Sequence, residues 1–212
     1  MKSFRSSWWL LLGLAFLTTD ATCNKENPSS SPPPCQERAV FGDPAMSPYA
    51  LPYPAGHAYV LSQSYCYAQG GHRNQLAYDF ALPIGDTVTA ARAGVVLEVR
   101  EDLADTGSSV DPGAHNHVFV EHADGTVAFY AHLQQDGVAV QAGQTVALGQ
   151  FIATSGNSGN TGNFPHLHFG VYQGWPAREG YDVAVNFYNA EGPLNAAGGL
   201  VKDEWYLALP EQ

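Results

Sequence analysis

The sequence predicts an all-β domain of mostly antiparallel strands, folded as a barrel or sandwich, and three observations predict it. Short runs rich in Val, Tyr, Phe and Thr recur at close spacing through the chain. Glycine and proline separate them, with 22 and 14 residues respectively in a chain of 212, as tight turns between short strands require. No internal repeat and no long amphipathic helix intervenes, which argues against alternating βαβ units. Hydrophobic residues are 45% and charged residues 14% of the chain, enough apolar content for one buried core and too little charge for a disordered one.

Taken in order, residues 1–22 read as a signal peptide. Lys2 and Arg5 precede an apolar stretch from Trp8 to Leu17, and small residues follow near Ala21 and Thr22. The stretch is too short for a membrane span and has the length of a signal core. Residues 23–35 read as a polar Ser/Pro linker. Cys23 stands where a lipoprotein carries its lipidated cysteine, although Asp20-Ala21-Thr22 departs from the usual residues before such a site. Cys35 and Cys66 then remain as a pair that could bridge in an oxidising compartment, or Cys66 could be a small buried residue. Residues 36–212 are expected to form one domain.

Within that domain, strands are expected at His57–Tyr67, Tyr78–Leu82, Thr87–Ala91 and Gly94–Arg100. His117–His122 and Thr126–Leu133 flank Ala123-Asp124-Gly125, a short hairpin link. Gln144–Leu148, Gln150–Ala153 and His166–Tyr172 follow, and Gly192–Leu209 is expected to supply closing strands. Residues 101–116 form a long Asp/Gly/Ser-rich loop of the length often found at functional sites.

The formal charge of −11, with no basic patch, excludes a nucleic-acid binder and disfavours simple adhesion to anionic polymers or headgroups. Substrate read by close contact in a groove suits it better. The chemistry-bearing residues are histidines and one carboxylate. His166 and His168 are two apart on an expected strand, so both project to one face. Asp79 lies between Tyr78 and Phe80, where a carboxylate is costly to bury unless paired or metal-bound. His72 follows the turn Gln69-Gly70-Gly71, and His132 lies late in its strand.

Together these segments resemble the lysostaphin-like family of zinc metallopeptidases, the murein or glycyl-glycine endopeptidases. The resemblance is carried by His72…Ala77-Tyr78-Asp79-Phe80, Pro83-Ile84-Gly85-Asp86-Thr87-Val88 and Tyr130-Ala131-His132-Leu133. It continues through Gly143-Gln144…Gly149-Gln150, Ser155-Gly156-Asn157 and Pro165-His166-Leu167-His168-Phe169. It implies the family's duplicated-hybrid-motif β fold and one Zn2+ per chain held by His72, Asp79 and His168. It also implies His132 and His166 as catalytic neighbours. His72 and Asp79 stand farther apart in sequence than in the commoner family pattern, and the glycines before His72 can absorb the extra residues.

The function so implied is hydrolysis of peptide crosslinks in bacterial peptidoglycan; the alternative is a non-catalytic activator of cell-wall amidases on the same fold. All five site positions are filled, which favours the enzyme. An exported monomer of the periplasm or cell envelope is expected, with lipidation at Cys23 as its one route to a membrane. His57 reads as structural, His122 as a solvated strand end, and His115 and His117 as structural or groove-lining. Asn157 and Asn160 read as turn formers, in a loop that the resemblance makes a wall of the substrate groove.

Overall fold

The computed structural model describes residues 31–111 and 113–210. The expected signal peptide and Cys23 lie outside them. From Pro32 onward the chain forms one compact unit. Cys35 opens a one-turn helix, α1 (Cys35–Arg38), and a 3-10 turn follows at Pro44–Met46. Twelve strands come next among the described residues: β1 (Ala58–Gln63), β2 (Ala77–Phe80), β3 (Thr87–Thr89), β4 (Gly94–Arg100), β5 (His117–Glu121) and β6 (Val127–Ala131). The second half holds β7 (Leu133–Val138), β8 (Thr145–Val146), β9 (Phe151–Ser155), β10 (Leu167–Tyr172), β11 (Ala190–Glu191) and β12 (Trp205–Ala208).

Nine strands form one sheet in the order β11-β12-β1-β2-β10-β6-β5-β4-β8, and β3-β9-β7 form a second. The pairings are antiparallel. The all-β expectation holds in its sandwich form, because the large sheet is open between β11 and β8 and does not close on itself.

Side-chain alternation explains why the central strands are buried on both sides. Tyr78, Phe80, Leu167, Phe169, Val118, Val120, Ala128 and Tyr130 face the main core. There they meet Val88, Ile152 and Leu133 of the small sheet. Their sequence neighbours Asp79, His168, Phe129 and Ala131 project to the opposite face, as the two-residue period demands. Register aligns that face into one row: Gln63 opposes Asp79, Asp79 opposes His168, His168 opposes Ala131, and Ala131 opposes His117.

Several elements differ from the expected bounds. The strand expected over Thr126–Leu133 breaks at His132, whose φ of 62° turns the chain out of β6 and into β7 of the other sheet. The strand expected over His57–Tyr67 stops at Gln63, and Cys66, also left-handed at φ 52°, bends the chain away. A disulfide joins Cys66 to Cys35, which is buried although it ends the expected linker. His122 is buried, not solvated: its Nδ1 lies 2.9 Å from the Ala93 carbonyl and its ring 5.4 Å from that of Tyr49. Long-range packing of Tyr49 and Ala93 over the hairpin end covers it. Among the described residues no helix is long and apolar enough to cross a membrane.

Candidate metal centre

The groove face of the large sheet gathers the predicted residues. Asp79 comes from β2, His168 from β10 and His132 from the corner between β6 and β7. His166 stands one residue before β10, yet still faces the site beside His168, as the spacing of two requires. His72 arrives on the loop between β1 and β2. They line a groove of about 480 Å³ together with Phe129, Phe164 and Tyr172 among others.

Three ligand atoms converge. His72 Nε2 lies 3.0 Å from His168 Nδ1, His168 Nδ1 lies 3.0 Å from Asp79 Oδ1, and His72 Nε2 lies 3.1 Å from the same oxygen. His72, Asp79 and His168 are all buried and form a group able to hold a metal ion. A tetrahedral zinc with bonds of about 2.0–2.1 Å has ligand–ligand edges of about 3.3 Å, so the observed triangle is close to that size.

Proton bookkeeping strengthens the fit. His72 Nδ1 lies 3.2 Å from the Ser64 carbonyl. A carbonyl only accepts, so in the neutral ring Nδ1 holds the proton and Nε2 a lone pair. Asp79, when ionised, also offers only lone pairs. Neutral rings can thus place at most one proton, on His168 Nδ1, among three mutually adjacent atoms. The remaining short edges set lone pair against lone pair, and a shared cation removes that conflict. Such a backbone partner for the second nitrogen is the usual way a ligand histidine is oriented.

The ionisation states suit this role. Burial opposes the charge on Asp79, but the His72 and His166 rings and contacts with His168 and His72 hold its carboxyl well below the usual range. Burial also pushes His168 down, against the pull of Asp79. His132 is lowered to about 3 by burial first and by His166 and His168 next, so it is a neutral base.

His132 and His166 share the orientation of His72. Their Nδ1 atoms lie 2.8 Å from the Ser158 carbonyl and 2.7 Å from the Phe164 carbonyl. In the neutral form of either ring, that orientation leaves a bare Nε2 turned away from the backbone. The two rings are 4.6 Å apart, and His166 Nε2 is 3.6 Å from Asp79 Oδ2.

A wall of two joined loops holds these histidines. Gly107 N donates to Asn157 O at 2.7 Å, Ser109 N donates to Gly159 O at 3.0 Å, and Ser108 bridges Asn160. Asp105 accepts from Asn157 N and Gln135 N at 2.7 and 3.1 Å. Ser158 Oγ donates to Leu133 O at 2.7 Å and accepts from Asn116 N at 3.0 Å. Asp105, Asn116 and Ser158 were not singled out as supports from sequence, since their partners lie 13 or more positions away on other segments. Gln63 was also missed; its Nε2 donates to Asp79 Oδ2 at 2.7 Å. Of the other histidines, His115 lines the groove, His117 Nε2 is held at 3.0 Å by Glu98, and His57 is exposed.

Residues 73–184 match peptidase family M23, a stretch that begins immediately after His72. The peptidoglycan DD-endopeptidase ShyA of Vibrio cholerae is 37% identical over 91 residues, covering 43% of this chain and 18% of that protein. The uncharacterized lipoprotein YgeR of Escherichia coli is 29% identical over 141 residues, 66% of this chain and 46% of that one. This chain thus spans less than half the length of either relative. Among solved structures, the catalytic domain of the prophage-encoded M23 protein EnpA from Enterococcus faecalis is 25% identical with a TM-score of 0.48, covering 64% of this chain and 93% of that one.

Proposed function

The chain belongs to peptidase family M23, and from that premise we propose that it is a zinc-dependent endopeptidase cutting peptide crosslinks of bacterial peptidoglycan. The observation that carries the reading is the buried triangle of His72 Nε2, Asp79 Oδ1 and His168 Nδ1, with edges of 3.0–3.1 Å. These three residues would hold the metal. When bound there, zinc supplies a Lewis acid for a peptide carbonyl and lowers the pKa of water toward about 7.

The protein's own residues do the rest. His132 and His166 line the groove next to the ligand cluster, with Nε2 as the ring nitrogen not turned to the backbone. Each can accept a proton from an attacking water and return it to the leaving amine. Once protonated, either imidazolium can also stabilise negative charge on the attacked carbonyl oxygen. The carbonyls of Ser158 and Phe164 fix the tautomer that makes this possible. His132 is pinned further by its left-handed backbone, a conformation costing about 1–2 kcal/mol outside glycine. It is kept there by the bond from Gly156 N to His132 O at 3.0 Å.

The peptidoglycan substrate is supported by the relative ShyA, and an envelope location by the signal-peptide-like pattern of residues 1–22 and by the relative YgeR, a lipoprotein. The test is mass spectrometry of purified peptidoglycan after digestion by wild type and by His132→Ala. Crosslink-cleaved peptides from wild type, reduced about 10²–10⁴-fold in the variant, support the enzyme. No cleavage by either, with stimulation of an added amidase, would overturn it in favour of an activator.

A further inference from the structure

We propose that Gln63 is a positioning residue of the metal centre, its amide capping Asp79 Oδ2 so that Oδ1 alone is offered to the metal. The proposal rests on the metal-site reading above. Asp79 has two carboxylate oxygens, and they are used differently. Oδ1 meets both ligand histidines, at 3.0 and 3.1 Å. Oδ2 accepts from Gln63 Nε2 at 2.7 Å. Because an ionised carboxylate only accepts, the Gln63 amide must turn its NH2 to Asp79 and its oxygen away.

The fold goes out of its way to put Gln63 there. Leu61 opposes Phe80 in the pairing of β1 with β2, so an unbroken ladder would set Ser62 opposite Asp79. The register slips between Leu61 and Gln63, and Gln63 takes that position instead. One extra residue in a strand re-aims the next side chain onto the other face, a device found beside active sites. Ser62 turns its hydroxyl to the Asp79 carbonyl at 3.0 Å and stabilises the slip.

A second, independent feature guards the same amide. Gly70, on the loop that delivers His72, lies against the Gln63 carboxamide: a Cβ built on Gly70 would overlap Gln63 Oε1 first, then press on its Cδ, 2.6 Å away, and on the Tyr67 ring edge at 2.8 Å. Gly70 has no left-handed φ to require glycine. The space its missing side chain leaves is the space the Gln63 amide fills. Capping one oxygen keeps the carboxylate a one-atom ligand and leaves room in the coordination sphere, as a catalytic site requires.

The experiment measures zinc dissociation constants of the purified full chain by competition with a chromogenic chelator. It compares wild type, Gln63→Met, Gly70→Ala and the double variant. Methionine keeps the length of the stem and removes the carboxamide, donor and acceptor together. Each single change should weaken zinc binding by about 10- to 100-fold, the usual cost of losing a partner of a metal ligand. The double variant should bind no more weakly than Gln63→Met, because both changes act through one amide, and the circular dichroism of metal-free Gln63→Met should match wild type. Wild-type affinity in Gln63→Met, or single effects that multiply in the double variant, overturns the proposal while the metal site stands. A wild-type chain that binds no zinc removes the metal site, and this proposal with it.

Discussion

Removing the Cys35–Cys66 bridge should lower stability by an amount that the chain separation sets. The two cysteines are 31 positions apart, and closing a loop of that size removes about 3.7 kcal/mol of entropy from the unfolded chain at 25 °C. For a domain of this size each kcal/mol corresponds to about 2–4 °C. The Cys35→Ser/Cys66→Ser double variant should therefore melt about 7–15 °C below wild type. The loss should be felt at the site as well, because Cys66 is the hinge of the loop that carries His72. Its backbone N donates to Gln75 O at 2.9 Å and closes that loop at its base. Calorimetry of both proteins at neutral pH, with chelator and then with zinc, reads both effects. A shift below about 2 °C with chelator present would refute the loop-entropy reasoning. A reduced wild-type chain that melts with the oxidised one would do the same.

Three further outcomes follow from other groups. Asp182→Ala should cost about 1–3 kcal/mol in denaturant melts, because it removes the carboxylate partner of the half-buried Arg38 guanidinium and the acceptor of the buried Leu76 N; a cost under about 0.5 kcal/mol would contradict the pairing. Tyr130→Phe should cost about 1–3 kcal/mol, since the buried Ala91 N donates to Tyr130 Oη at 2.8 Å, and a neutral result would sink that reading. His122 is lowered from its usual value of 6.5, chiefly by burial and then by Arg92, against the pull of the Ala93 carbonyl and Asp124. The unfolded chain therefore binds the proton more readily. This stability is complete above about pH 6.5 and lost as pH falls toward the lowered folded value. His122→Leu should thus lose less melting temperature than wild type between pH 7.5 and 5.5, and parallel losses would contradict it.

What was legible in the sequence followed side-chain period. β2 and β10 alternate a core residue with a groove residue, so His166 and His168 could be assigned to one face from the sequence alone. Asp79 announced itself as a carboxylate between two aromatics that turned out to be core. The rest depended on register and on distant packing. β7 reads Leu-Gln-Gln-Asp-Gly-Val and buries little, so no apolar pattern marked it. The break at His132 comes from a backbone turned left-handed by partners on other loops, which a run of β-favouring residues conceals. Gln63 reaches the site only because β1 slips by one residue. A bulge of that kind has no composition signal, and neither did the burial of His122 beneath Tyr49.

The account stands on His72, Asp79 and His168 binding one metal ion together, and elemental analysis of the purified chain tests that most directly. It predicts about one zinc per wild-type chain and a near-complete loss in both Asp79→Ala and His168→Ala, with circular dichroism unchanged. A folded wild type without metal, or variants that keep their zinc, would contradict it.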